Sequence, residues 1–250
     1  MMVQTKPNTG FKALIACGAI IMTSACASAA DCANPAPNDD LTVCTELKGK
    51  VFSNCDLSGA KFTGMDLRNT RFEKCKLDGA DFSAATLKWA SFKHSSLVGA
   101  NFTKADLFHT NMNETDISKG IFIKAFMFGT NLNFAKARDV TFDTANMKDI
   151  NMEETDFSGS TFKDAYMLRA VSYQVNFTDA KLDGAVLTGA TFEEGNFTRT
   201  SMVGVNLDGA SLEGSRFDKA ILKGATFKNA VLDDVVWQDV VEPPAHLKLP

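Results

Sequence analysis

Histidine is nearly absent from this chain, with three in 250 residues. His94 and His109 fall on different faces of the repeat that organises the sequence, and His246 falls in its tail, so no pair has metal-ligand or acid/base geometry. There is no phosphate-cradling glycine loop and no Cys-x-x-Cys pair, and Ser and Asp are scattered at repeat intervals rather than gathered. These absences argue against an enzyme and leave no cofactor and no metal to expect. Charge is short of a strong bias as well: 30 Asp and Glu against 26 Lys and Arg give a formal charge of -4. The apolar run Ala13 to Met22 is too short to span a membrane after processing.

Conventional periodicity is missing too. A helix places apolar residues at intervals of three and four and a strand at two, whereas here the interval is five. Leu47, Phe52, Leu57, Phe62, Leu67 and Phe72 begin a frame that holds to Trp237, with Leu, Phe, Met or Ile at almost every step. Only Ala137 and Ser172 lapse from apolar bulk. Two residues before each large one is, as a rule, a small one, as at Ala60, Ala80, Ala100 and Ala180. A fixed short period marks a solenoid. If each pentapeptide is one short extended side and a bend, four sides close a square coil of about twenty residues, with large and small residues both inward and coils stacked as parallel strands. At a spacing of about 4.8 Å the frame makes a rod of roughly nine and a half coils, about 45 Å long.

Units such as Ala80-Asp-Phe-Ser-Ala, Ala105-Asp-Leu-Phe-His, Ala180-Lys-Leu-Asp-Gly and Ala225-Thr-Phe-Lys-Asn match A(D/N)LxG. The sequence resembles the pentapeptide-repeat family over about three quarters of its length. The resemblance implies an all-β fold, a right-handed quadrilateral parallel β-helix. Departures are local: Ile121, Phe126, Tyr166 and Val171 stand where Asp, Asn or a small polar residue is usual.

The ends have their own character. Lys6 and Lys12, the apolar run and the small residues Thr23 to Ala30 form the pattern of a secretory signal over residues 1–30, cut after Ala29 or Ala30. Export to the periplasm or outside the cell is the expectation, with a lipid anchor at Cys17 or Cys26 as the lesser alternative. Residues 31–46 read as a capping segment in which Cys32 and Cys44 are expected to pair. Cys55 and Cys75 fall at inward small positions of adjacent coils; strand spacing permits a disulfide, but parallel Cβ vectors weigh against it, so buried thiols are the first reading. The β-helix occupies 47–237, Trp237 reads as the lid on its column, and Pro243-Pro244 open a tail, 238–250, expected to be loose at its end.

Residues twenty apart share an outward column. One wall gathers Trp89, Phe108, His109, Phe126, Phe128, Tyr166, Leu168 and Arg169, enough for an exposed apolar patch of several hundred Å². A protein partner of unknown identity, or a second copy forming a homodimer, is the expected occupant; a covering segment of the chain and simple drift of the repeat are the alternatives. The adjacent wall carries Glu114, Glu153, Glu154, Glu193, Glu194, Glu213, Asp233 and Asp234, whose usual meaning is a solvated face. Asn111, Asn131 and Asn151 stack in an expected amide ladder. The Asn-Phe-Thr triplets at Asn101, Asn176 and Asn196 follow from the repeat rather than from glycosylation, and no persistent Thr ladder suggests ice binding. The resemblance also offers DNA mimicry toward a type II topoisomerase, since some cytoplasmic members work so; the modest charge and the export signal oppose it. The reading is therefore an exported non-catalytic scaffold acting by protein contact, without nucleic acid, with a topoisomerase effector or a structural envelope protein as alternatives.

Overall fold

The computed structural model describes residues 30–245 and 247. The expected signal segment, including Cys17 and Cys26, lies outside the described residues, as do His246 and residues 248–250. From Leu47 onward the chain winds into stacked square coils, the first residue of a pentapeptide bridging in parallel to the one twenty positions later: Asp106 to Phe126, Phe126 to Asn146, Asn146 to Tyr166. Four three-residue strands stand out, β1 (Val51–Ser53), β2 (Arg71–Glu73), β3 (Val171–Tyr173) and β4 (Thr191–Glu193), paired β1 to β2 and β3 to β4.

One pentapeptide shows why the chain turns where it does. In residues 81–85, the Asp81 N–H donates to Ala60 O of the preceding coil at 2.9 Å; Phe82 and Ala84 N–H donate to Asn101 O and Thr103 O of the following coil at 2.7 and 2.9 Å. Ala85 N–H closes the bend on Phe82 O at 3.0 Å, a four-residue turn whose third member has positive φ. Every residue from Gly49 to Asp239 whose number ends in 4 or 9 takes this left-handed conformation. Glycine suits it, yet Lys, Glu, Arg, Trp89 and Phe134 also adopt it, each at a cost of about 1–2 kcal/mol. Regularity elsewhere in the unit must offset that cost.

The fifth N–H, on Ser83, has no place in the ladder, and Asp81 Oδ1 accepts it at 2.9 Å. Asp56, Asp66, Asn101, Asp116, Asp156 and Asn176 each do the same two residues on. This is the physical reason for Asp or Asn before the central residue: a side-chain acceptor closes the backbone accounting. It also corrects the amide ladder, since Asn111 and Asn131 turn their oxygens to Asn113 and Asn133 N–H at 3.0 and 2.9 Å.

Inside, the four walls have different cores. Phe62, Phe82, Phe102, Phe122, Phe142 and Phe162 stack at 4.6 to 5.0 Å behind the first wall. Leu67, Leu87, Leu107, Met127, Met147 and Met167 line the second, and Phe72, Phe92, Met112, Leu132 and Met152 the third. Leu57, Leu77, Leu97 and Ile117 begin the fourth, which continues as Phe157, Phe177, Phe197 and Phe217 up to Trp237, the last pair stacked at 4.8 Å. The lapses at Ala137 and Ser172 are each followed three residues later by a buried valine, Val140 and Val175, in place of the usual small residue, so volume in the column is kept.

Three corners open. Val140, Cys75 and Gly195 N–H do not close their turns but donate to Ser160, Ser95 and Ser215 Oγ one coil later, at 2.9, 3.0 and 3.0 Å. Each hydroxyl passes its own hydrogen to the stranded turn carbonyl, Ala137 O, Phe72 O or Phe192 O, at 2.6 to 2.8 Å. A buried serine thereby completes a turn in the neighbouring coil.

At the N-terminal end, Asn38 and Leu41 N–H donate to Ser58 O and Lys61 O, so the leading segment adds to the coil edge while Leu41 seals the column. Cys32 is bonded to Cys44, their Cα atoms 5.6 Å apart. Cys55 is bonded to Cys75 with Cα atoms 4.6 Å apart, against the reading of buried thiols: strand spacing suffices, and Cys55 stands at the less covered edge coil, where its side chain can lean along the axis. At the other end Leu247 is half-buried on the core and donates to Pro244 O at 2.9 Å, so at this residue the tail folds back rather than staying loose.

Two outcomes are expected. Ser160→Ala strands Val140 N–H and Ala137 O and should lower stability by about 1–3 kcal/mol, whereas Thr110→Val, which removes one bond to the already satisfied Leu87 O, should cost about 1 kcal/mol; thermal unfolding of both variants decides this. The second concerns pH. The Arg68 side chain holds Asp66 down to about 2, and the Thr42 and Ser58 hydroxyls lower Asp40 and Asp56. A depressed carboxylate stabilises the fold above its unfolded value near 3.9 and loses that contribution as pH falls toward its folded value. The unfolding midpoint should therefore drop between about pH 4 and pH 2, and an unchanged midpoint would rule this out.

Candidate interaction surface

The second wall is built on an aliphatic column, Leu87, Leu107, Met127 and Met147, fully buried beneath it. Its outer rings therefore add nothing to core packing. Trp89 is 53% exposed, Phe126 38% and Tyr166 39%; Phe108, Phe128 and Leu168 are half-buried. Phe108 and Phe128 stack at 5.4 Å with planes 10° apart, Phe126 lies parallel at 6.4 Å from each, and Trp89 meets Phe108 edge-on at 5.5 Å. Lysines bracket the pair, with Lys88 Nζ 5.9 Å from the Phe108 ring and Lys148 Nζ 5.7 Å from Phe128.

His109 joins this cluster, edge-on to Phe108 at 4.3 Å and to Phe128 at 5.7 Å. It fits because Gly129 has no side chain: a Cβ there would sit 2.5 Å from the imidazole. Tyr166 and Leu168 do not join it. The coil of Asn146, Lys148 and Asp149 intervenes, so the expected single patch is two, a ring cluster from Trp89 to Phe128 and a smaller pair at Tyr166 and Leu168. Arg169 is no free rim cation either, being held by Asp149 through two 2.8 Å bonds.

Where Phe126 and Tyr166 replace the usual Asp or Asn, the turn loses its cap. Neither Phe128 nor Leu168 N–H has a protein acceptor among the described residues, while Phe108, above them, keeps Asp106 at 3.2 Å. An omitted cap costs about 1 kcal/mol even at a partly solvated site. On this wall two caps are given up for exposed rings.

The third wall carries the acidic residues, and from Asn111 to Asp234 no lysine or arginine stands among them. Glu114 meets the His94 imidazole at 3.1 Å, as their separation of twenty residues allows. Gln174 and the Tyr173 hydroxyl lower Glu194, and Glu194 raises Tyr173 in turn. Sequence reading also missed Phe134 and Tyr173 on this wall, 46% and 40% exposed, and marked Val171, 48% exposed, only as a departure from the repeat. Phe134 could have been found by its place at a left-handed position, where a bulky ring is unusual. Beside Ser172 the wall is dented by a cavity of about 160 Å³ lined by Glu153, Tyr173 and Glu193. Among the described residues no cluster of His, Cys, Asp and Glu has metal-site geometry, and no helix is long and apolar enough to cross a membrane.

A pentapeptide-repeat region model matches residues 46–120, and a model of eight pentapeptide copies matches 127–167, 173–209 and 196–234. The chain belongs to the pentapeptide-repeat family. Its coils are accordingly those of the right-handed quadrilateral β-helix, and pentapeptide-repeat proteins are as a rule non-catalytic scaffolds. Similar solved structures include HetL of the cyanobacterium Nostoc, involved in regulating heterocyst differentiation, with 25% identity over 76% of this chain and 86% of that one and a TM-score of 0.49. A thylakoid-lumen pentapeptide-repeat protein of Arabidopsis thaliana shares 24% identity over 42% of this chain and 69% of its own, with a TM-score of 0.31. QnrB1, a plasmid-mediated fluoroquinolone resistance protein, shares 18% over 72% and 92%, with a TM-score of 0.39. No curated protein matches the chain.

Gly129→Ala should cost more than Gly99→Ala: both strain a positive φ, but only the first displaces a ring, since nothing lies within 4 Å of a Cβ at Gly99. About 1 kcal/mol is expected at Gly99 and a larger loss at Gly129, with the ring-shifted His109 proton resonances moving toward solvent values only in the second variant.

Proposed function

We propose that this pentapeptide-repeat protein is an exported, non-catalytic scaffold that acts through protein contacts on its second wall. The observation that carries the reading is the exchange of turn caps for exposed rings at Phe126 and Tyr166, over a column already closed by Leu and Met. Aromatic anchors bracketed by cations are what protein interfaces use, and Trp89, Phe108, Phe126 and Phe128 form such a group with His109 and Lys148 at its margin. Tyr166 and Leu168, with Arg169 tied to Asp149, make a second, smaller foothold. Export is supported by the N-terminal pattern and by two bridges that pair Cys32 with Cys44 and Cys55 with Cys75, bonds that persist in oxidising compartments.

The carboxylates of the third wall favour a second reading, electrostatic mimicry of DNA, in which the protein works in the cytoplasm on a topoisomerase. Cell fractionation separates the two: recovery outside the cytoplasm, with the chain beginning near residue 30, supports the scaffold, and full-length cytoplasmic protein overturns the export claim. For the wall itself, Phe126→Asp/Phe128→Asp is expected to keep the circular dichroism of the parent while losing its crosslinked partner or its self-association. A variant that keeps every association would refute contact through these rings.

A further inference from the structure

Most carboxylates of the third wall come in neighbouring pairs, Glu153-Glu154, Glu193-Glu194 and Asp233-Asp234, each pair forty residues and therefore two coils after the last. At about 4.8 Å per coil the pairs stand about 9.6 Å apart, on a straight run of about 19 Å. None of these side chains makes a salt bridge among the described residues. Glu153 is half-buried and the others are exposed. The cations of the adjoining walls are engaged elsewhere: Arg169 with Asp149, Arg216 with Asp218, and Lys148 over the Phe128 ring. Exposed apolar side chains occupy coils that lack a pair, Phe134 before the first and Val171 and Tyr173 between the first and second. There the cavity of about 160 Å³ runs from Glu153 past Val171 and Tyr173 to Glu193, so its ends are acidic and its middle is apolar. Between the second and third pairs stands Glu213 alone.

A repeat of about 9.6 Å selects the backbone that matches it. A β-strand returns side chains to one face every 6.6 Å or so, and a helix returns them after about 5.4 Å or, in a seven-residue repeat, about 10.5 Å. Polyproline II has three residues per turn at about 3.1 Å each, so every third side chain returns to the same line after about 9.3 Å. Over two intervals the mismatch with the acidic pairs stays below about 1 Å.

We propose that the third wall binds an extended, proline-rich segment of a partner protein that carries Lys or Arg at every third residue. Its cations meet the three acidic pairs in turn, and its prolines lie against Val171 and Tyr173, as polyproline helices lie in aromatic-lined grooves. Size agrees with a segment rather than a domain. From Phe134 to Asp234 the wall offers about 24 Å by about 10 Å, roughly 240 Å², room for about eight residues but far short of the roughly 800 Å² that each side of a stable globular pair buries. This site lies on a different wall from the proposed aromatic contact and stands or falls apart from it.

The test is fluorescence anisotropy at low salt, with the protein as recovered from cells and labelled peptides of a single composition. Lys-Pro-Pro repeated three times sets its lysines at every third residue; two isomers set them side by side or at alternate positions, with charge and proline content unchanged. The first peptide should bind about tenfold more tightly than either isomer, and its affinity should fall as salt is raised. Glu193→Gln and Tyr173→Ala, both at exposed side chains outside the core, should each weaken it about fivefold with circular dichroism unchanged. Phe126→Asp/Phe128→Asp should leave it as tight as in the parent. Equal binding of all three peptides would reduce the wall to a diffuse counter-charge, as DNA mimicry requires, and overturn the proposal. A preference for alternate lysines, affinity indifferent to both third-wall substitutions, or no binding of any peptide would overturn it as well.

Discussion

Everything in this molecule depends on the hydrogen bonds that join residues of one coil to those about twenty positions on. As a rule two N–H groups of each pentapeptide donate forward and one backward, with donor to acceptor distances of 2.7 to 3.3 Å. Because the bonds run along the axis, a side of two or three extended residues suffices, and the chain must turn after each one. The left-handed residue at every corner follows from that demand. So do the inward pair of a large and a small side chain and the acceptor that closes the last N–H. Stability is accordingly distributed, each coil resting on its neighbours rather than on a central globule.

Much of this was legible. The five-residue frame gave the coil, the walls and the core positions, because side-chain size at the centre of each side is dictated by the width of the column. The role of Asp and Asn was legible only as a preference; the hydrogen bond to the N–H two residues on explains it, and explains why Asn111 and Asn131 form no ladder. The open corners at Cys75, Val140 and Gly195 were not legible, since a serine at a small position looks like any other small residue until the neighbouring coil is in place.

The surface was legible in outline and not in detail. Stepping by twenty placed Trp89, Phe108, Phe126 and Phe128 together, but spacing says nothing of rotamers. Half-burial of Phe108 and Phe128, the seat of His109 over Gly129 and the clasp of Arg169 by Asp149 depend on which way each side chain leans. Phe134 escaped notice because attention to the centre of each side overlooks the corner, where the backbone throws a ring outward.

The four-sided coil has a consequence for how such a protein varies over generations. A residue's wall is fixed by its position within a period of twenty, so loss or duplication of a single pentapeptide leaves the core pattern intact and rotates everything after it by a quarter-turn. A deletion between Phe128 and Lys148 would move Tyr166 and Leu168 to a different side without altering one residue. Surface chemistry in this fold is thus reset in discrete angular steps.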